Sequence, residues 1–213
     1  MTRRSARTDR REPVDVQRRR LARAIACAPL VLGLPAAIRA DSIDIARASL
    51  EPSIDGEAWL LSADLQLSLG SRLEDAVNRG VPLYFVADFA LWRSRWWWFD
   101  DRVAEMSQTW RLAYHALTRT YRLSLNGFVT RHASLAEAVD AISRIRGWRV
   151  LERGTVRPGT AYEASVRMRL DVSQLPKPFQ LTALTDRDWN LQAEWKRFPF
   201  NPETARSAPS AER

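Results

Sequence analysis

From Trp59 the chain alternates: Trp59, Leu61, Ala63, Leu65, Leu67 and Leu69 are apolar, and Ser62, Asp64, Gln66 and Ser68 fall between them. A period of two over that length predicts a strand with one wet face. Tyr162, Ala164, Val166, Met168 and Leu170 alternate likewise with Glu163, Ser165, Arg167, Arg169 and Asp171. Trp189, Leu191, Ala193 and Trp195 alternate with Asp188, Asn190, Gln192 and Glu194, predicting a further strand. Strands with one apolar and one polar face belong to antiparallel sheets. Residues 83–91 are apolar on both faces except for Asp88, which places that strand nearer the middle of its sheet. Asn126-Gly127, between residues 121–125 and 128–130, is a tight hairpin signal.

Two segments change to a helical period. Ser71-Arg72-Leu73-Glu74 and Ser134-Leu135-Ala136-Glu137 read as capping boxes, opening helices that stop at Gly80 and Gly147. Leu73, Ala76 and Val77 form the apolar stripe of the first, and Leu135, Ala138, Val139, Ile142 and Ile145 that of the second. The pattern predicts a mainly β (α+β) domain, an antiparallel β-sandwich or strongly bent sheet with two short helices. Closure into a barrel is the alternative. That single domain occupies residues 41–200. The tail, residues 201–213, contains Pro202, Pro209 and small polar residues and is expected to be disordered.

Charge changes the picture of the first 40 residues. The 213-residue chain carries a net charge of +8, which invites a nucleic-acid reading. Ten arginines against Asp9, Glu12 and Asp15 put seven of those charges in residues 1–40, so residues 41–213 are nearly neutral. No field remains to attract a polyphosphate, and no nucleic-acid partner is expected. Arg18-Arg19-Arg20-Leu21-Ala22-Arg23 runs into the apolar residues 24–38, which contain Pro29, Gly33 and Pro35. That segment is shorter than the roughly 20 residues a membrane span needs, and Ala40 offers a peptidase site. Residues 1–40 therefore read as a cleaved export leader, giving a periplasmic protein. If the segment is retained, the domain is tethered to the inner membrane, its only membrane contact. Arg18-Arg19 loosely fits a twin-arginine signal, but Ala22 stands where a large apolar residue is usual, so the ordinary secretory route is preferred. The single cysteine, Cys27, leaves with the leader, so no disulfide framework is expected.

Five motifs carry a resemblance: residues 80–86 (Gly-Val-Pro-Leu-Tyr-Phe-Val), residues 96–100 (Trp-Trp-Trp-Phe-Asp), Leu117-Thr118-Arg119 with Tyr121-Arg122-Leu123, residues 174–179 (Gln-Leu-Pro-Lys-Pro-Phe) and Asp188-Trp189-Asn190. Together, over residues 43–198, they resemble a proteobacterial exported family known as domain of unknown function 4390. The resemblance implies no activity and no functional residues. It does imply a gene beside an rRNA methyltransferase and a nitrogen-regulation-type sensor kinase, and so a link between this protein and that kinase.

Candidate chemistry is sparse. His115 and His132 have no neighbours at metal-ligand spacing, and no paired cysteines, calcium loop, phosphate loop or nucleophile elbow occurs among eight glycines. No metal and no cofactor are expected, and a structural role suits His115. Asp100-Asp101 follows a tryptophan cluster, and Asp186 and Asp188 precede another tryptophan. Two acids beside aromatic platforms could build a periplasmic glycan hydrolase. Adjacent acids in an extended segment point to opposite faces, so Asp100 would need Asp186 or Asp188 as its partner, and turn formation is the simpler role for these aspartates. The strongest signal is the nine tryptophans, four of which, Trp92, Trp96, Trp97 and Trp98, fall within seven residues around Arg93 and Arg95. Consecutive residues of a strand face opposite ways, so one ring of that cluster is expected at the surface. The candidate contact surface is therefore Trp92, Arg93, Arg95, Trp96, Trp97, Trp98, Asp100 and Asp101, serving a non-enzymatic envelope module that binds a protein or a glycan.

Overall fold

The computed structural model describes residues 42–93 and 101–203, apart from the side chains of Leu184 and Arg187. The leader with its cleavage site, Arg95, Trp96, Trp97, Trp98 and Asp100, and tail residues 204–213 lie outside the described residues.

The alternation becomes two antiparallel sheets facing each other, with no closed barrel. A three-stranded sheet runs in the order β1 (Ser42–Pro52), β2 (Ala58–Ser68), β7 (Arg144–Glu152). The other has six strands: β6 (Phe128–His132), β5 (Thr120–Leu125), β4 (Asp101–His115), β3 (Leu83–Arg93), β8 (Tyr162–Leu170), β9 (Lys196–Phe200). β3, apolar on both faces, is central as expected, paired with β4 on one side and β8 on the other. Trp59 of β2 meets Phe200 of β9 edge to face at 4.9 Å, and Trp148 of β7 meets Phe89 of β3 at 6.5 Å, so large rings fill the space between the sheets. Trp59, Leu61, Phe85, Phe89, Leu91 and Met168 are among the fully buried side chains of this core. Asn126 and Gly127 adopt positive φ at the β5–β6 turn, which makes the twist of a two-residue hairpin match its strands.

Among the described residues three α-helices are present rather than two. α1 (Ser71–Asn78) and α2 (Leu135–Ile142) bury Leu73, Ala76 and Val77, and Ala138 and Ile142, respectively. Ser134 caps α2 as expected, its side chain accepting from the Glu137 N–H. Ser71 is not a cap: Gly70 holds that position, and its lack of a side chain leaves the first turn of α1 uncapped. The second helix also ends before Gly147. It stops at Ile142, and Ile145 and Gly147 belong to β7, where Arg146 and Gly147 stand opposite the single Ser62. Gly147 has φ 62, so the glycine supplies a β-bulge instead of a helix stop. The third helix, α3 (Lys177–Thr185), opens on Pro176-Lys177-Pro178, where prolines suit the first turn, and it rests Phe179 on Trp189 at 5.7 Å.

The expected strand through residues 189–195 is only partly formed. Trp189 closes a 3₁₀ turn, and the following residues lie extended along β8 through a bridge of Gln192 to Arg169, with the ladder proper beginning at Lys196. Gln192 is opposite Arg169 and Lys196 is opposite Val166, so four steps along this segment match three along β8. The extra residue is a bulge, and it reverses which side of the sheet each position faces. Leu191 and Ala193 are buried before it, Phe198 and Phe200 turn inward after it, and Trp195 goes to the outer face.

Candidate functional site

Along β3 the odd positions from Leu83 to Leu91 face the core, which sends Tyr84, Val86, Asp88, Ala90 and Trp92 to the outer face of the six-stranded sheet. Trp59, Trp110, Trp148 and Trp189 are buried, whereas Trp92 and Trp195 are half-buried.

Each outer tryptophan is backed by an arginine, and each pairing depends on a bulge. In β4, Ala104 opposes Leu91 but Arg102 opposes Trp92, so Val103 is the extra residue and Arg102 is shifted onto the outer face. Its guanidinium lies 5.2 Å from the centroid of Trp92 and bonds Glu105. Arg167 of β8 lies 4.5 Å over Trp195, which the second bulge delivers. Arg167 is fixed in turn by Asp88, which accepts from Arg167 Nε and Arg169 Nε at 3.0 Å and from Ser107 Oγ at 2.8 Å. Burial pushes the Asp88 carboxyl upward, but the hydrogen bonds from Ser107, Arg169 and Arg167 and the Arg169 charge outweigh it, and its pKa lies below the ordinary 3.8. Asp88 is therefore an anion at neutral pH, holding two cations on the outer face.

Between the two tryptophans is a cleft of about 260 Å³, lined by Ala90 and Trp92 of β3, Glu163 and Ser165 of β8, and Trp195 and Arg197. Ala90 and Ser165 form a buried floor, and Ser165 Oγ donates to the Ala90 carbonyl at 3.2 Å. Glu163 and Arg197 pair across the rim at 3.8 Å. A larger cavity of about 630 Å³ lies between α1 and α2, with Glu74, Asn78, Gln66 and Asp140 in its walls. Its one aromatic, Tyr121, donates its hydroxyl to Asn78 at 2.6 Å and packs against Tyr114 at 5.0 Å, and no cation stands among the lining residues beside Glu74 and Asp140.

Of the sequence-derived contact residues, the structure brings Trp92, Arg93 and Asp101 together: Arg93 and Asp101, opposed on β3 and β4, form an ion pair beside Trp92. Asp186 and Asp188 lie elsewhere. Both are bound by Arg72 of α1, at 2.9 and 3.0 Å. The turn after β8 hydrogen-bonds Tyr84 at the start of β3, whereas Asp101 opposes Arg93 at the end of that 11-residue strand. Leu191, three residues after Asp188, bonds Leu170 opposite Phe85, which is eight residues from Arg93, so at about 3.3 Å per residue that segment is about 26 Å along the strand from Asp101, far beyond the ~5–10 Å of a glycosidase acid pair; Asp100 lies outside the described residues. The described carboxylates with a displaced pKa, Asp55, Asp88, Glu152 and Asp171, are all displaced downward, the direction of a fixed anion rather than a proton donor. His115 and His132 bond the neighbouring threonines Thr118 and Thr130, and no cluster of three metal-ligating side chains occurs among the described residues.

Sequence reading missed Trp195, Arg102, Arg167 and Asp88. The signal was present: the apolar positions are odd through Ala193 and even at Phe198 and Phe200, so one residue between them must be out of step.

Residues 40–199 match the family described as a domain of unknown function (DUF4390). No curated protein and no solved structure gives a significant match.

Proposed function

The chain belongs to this family of unknown function, and from that premise we propose that it is an exported cell-envelope protein acting as a non-enzymatic binding module. Export is supported by the arginine cluster and the short apolar run of residues 1–40. Among the described residues no helix is long and apolar enough to cross a membrane. N-terminal sequencing of protein recovered from the periplasm tests the leader: a first residue at or near Asp41 is expected, and Met1 at the N-terminus in a membrane fraction would replace cleavage with tethering.

The observation that carries the binding role is the placement of Trp92 and Trp195. A ring used only for packing belongs between the sheets, where Trp59 and Trp148 are, yet these two stand on the outer face, braced by arginines and separated by a cleft. Rigid, half-exposed aromatics with an adjoining polar rim are the usual anchors of binding surfaces. Capture of envelope components by the exported protein tests this. The Trp92→Ala/Trp195→Ala double variant is expected to keep its fold and lose the captured material. Unchanged capture by a folded double variant would end the reading.

A further inference from the structure

We propose that the cleft between Trp92 and Trp195 binds a short stretch of an uncharged glycan, its sugar rings lying against the two tryptophans. The inference rests on the binding role above and assigns that surface its ligand class.

The ring faces come first. Arg102 and Arg167 back the two tryptophans but line no part of the cleft. Each ring has an arginine over it and borders the cleft, so the surface it offers a ligand is the part not taken by the arginine. An aromatic face is electron-rich and attracts weakly positive groups. The C–H bonds of a pyranose, polarised by the neighbouring oxygens, present such a face, and alkyl chains do so much less.

Charge narrows the class. Glu163 and Arg197 neutralise each other at 3.8 Å, so the rim has no net charge. A phosphate or carboxylate ligand would meet Glu163 beside the arginine, and a cation would meet Arg197 beside the carboxylate, so neither is offered an unopposed charge. Vicinal hydroxyls suit the rim as it stands, donating to the carboxylate and accepting from the guanidinium. The Ser165 oxygen remains available as an acceptor, since its proton is given to Ala90.

Size and placement complete the fit. The volume of about 260 Å³ lies below the roughly 300–1,000 Å³ of pockets for drug-sized ligands, which suits one or two sugar rings. Trp92 is opposite Glu163 and Trp195 stacks with Arg167, four residues further along β8. The two platforms are thus offset by about 13 Å along the strand direction. An oligosaccharide can use both; a monosaccharide cannot. The small side chains of Ala90 and Ser165 keep the floor between the two platforms low.

Isothermal titration of the exported protein with chitotetraose, cellotetraose and maltotetraose tests the proposal, with the corresponding monosaccharides and a decaproline peptide in parallel. At least one tetraose is expected to bind saturably, and its monosaccharide at least about tenfold more weakly. Trp92→Ala and Trp195→Ala should each weaken the tetraose by about tenfold, equivalent to about 1.4 kcal/mol. Phenylalanine at either position, which keeps a platform, should restore most of the loss. Ala90→Leu, on the outer face and outside the cluster between the sheets, should abolish binding by filling the floor even if an alanine variant folds poorly. Failure of all three tetraoses to bind overturns the proposal, as does binding indifferent to these substitutions. Tryptophan-dependent binding of decaproline in place of the tetraoses also overturns it, in favour of an extended peptide. If no tetraose binds while the double tryptophan variant still loses its envelope capture, the glycan falls and the binding surface stands; if capture is also unchanged, both fall.

Discussion

The two faces of β3 are nearly equally dry and are kept so by different chemistry. On the inner face Leu83, Phe85, Ala87, Phe89 and Leu91 are fully excluded from water by the opposing sheet. On the outer face no second sheet is present among the described residues, yet Val86, Asp88 and Ala90 are 4, 7 and 4% exposed. Their cover comes from the surface itself, from Arg167 and Arg169 drawn onto Asp88 and from the braced rings of Trp92 and Trp195. The inner face is dry because many apolar contacts add up there. The outer face is dry because long side chains lie flat over a few anchors. A packed core has no spare ring face, whereas a surface held flat by charge keeps one free for a partner.

The comparison is broken most strongly from the inside. Phe89→Ala, at the centre of the inner face, should cost about 3–5 kcal/mol in urea denaturation. Asp88→Ala should cost less, about 2–3 kcal/mol, since it strands two arginines that are only 26 and 31% exposed but can still turn toward water. That contribution has a pH signature. The folded carboxyl titrates below 3.8, so its stabilisation is present above that value and lost as pH falls through the folded pKa. The stability gap between wild type and Asp88→Asn should therefore be constant near neutrality and shrink below pH 3.8. Trp92→Ala and Trp195→Ala should each cost under about 1 kcal/mol despite the size of the ring, because neither leaves a cavity between the sheets. A loss comparable to that of Phe89 would make these rings part of the core and erase the distinction. Arg102→Ala, removing one exposed cation from one ring, should cost at most about 0.5 kcal/mol in thermal unfolding, while altering Trp92 fluorescence.

Much of the fold could be read from alternation. The strands at Trp59, Leu83 and Tyr162 and the Asn126-Gly127 hairpin form where the pattern puts them, because inward and outward positions are separated by water on one side and the other sheet on the other. What misled was punctuation. Gly147 carries the same letter as a helix stop but serves a bulge, since Ile145 was needed as a strand residue opposite Ala63. α3 was invisible because its sequence has no apolar stripe of helical period; its residues are held by Phe179 on Trp189 and by the Pro176 start. At the site, local pattern pointed correctly to Trp92, Arg93 and Asp101 but could not supply Trp195, more than a hundred residues distant and brought near only by the β3–β8–β9 pairing. Asp88 stood out in sequence as the lone charge in an apolar run, and its partners Arg167 and Arg169 became evident only once Asp88 was placed opposite Arg167.

The extra residue between Ala193 and Lys196 has a genetic corollary. Deleting Glu194 would bring Ala193 opposite Met168 and Trp195 opposite Arg167 in one unbroken ladder, so the bulge would go and the indole would keep the outer face. The side taken by Trp195 is set by its single step from Lys196, which the β8–β9 ladder holds opposite Val166, so a lost codon upstream of it spares that wall of the cleft. In kindred chains the wall is to be sought one residue before the β9 ladder, whatever the length of the connection that leads to it.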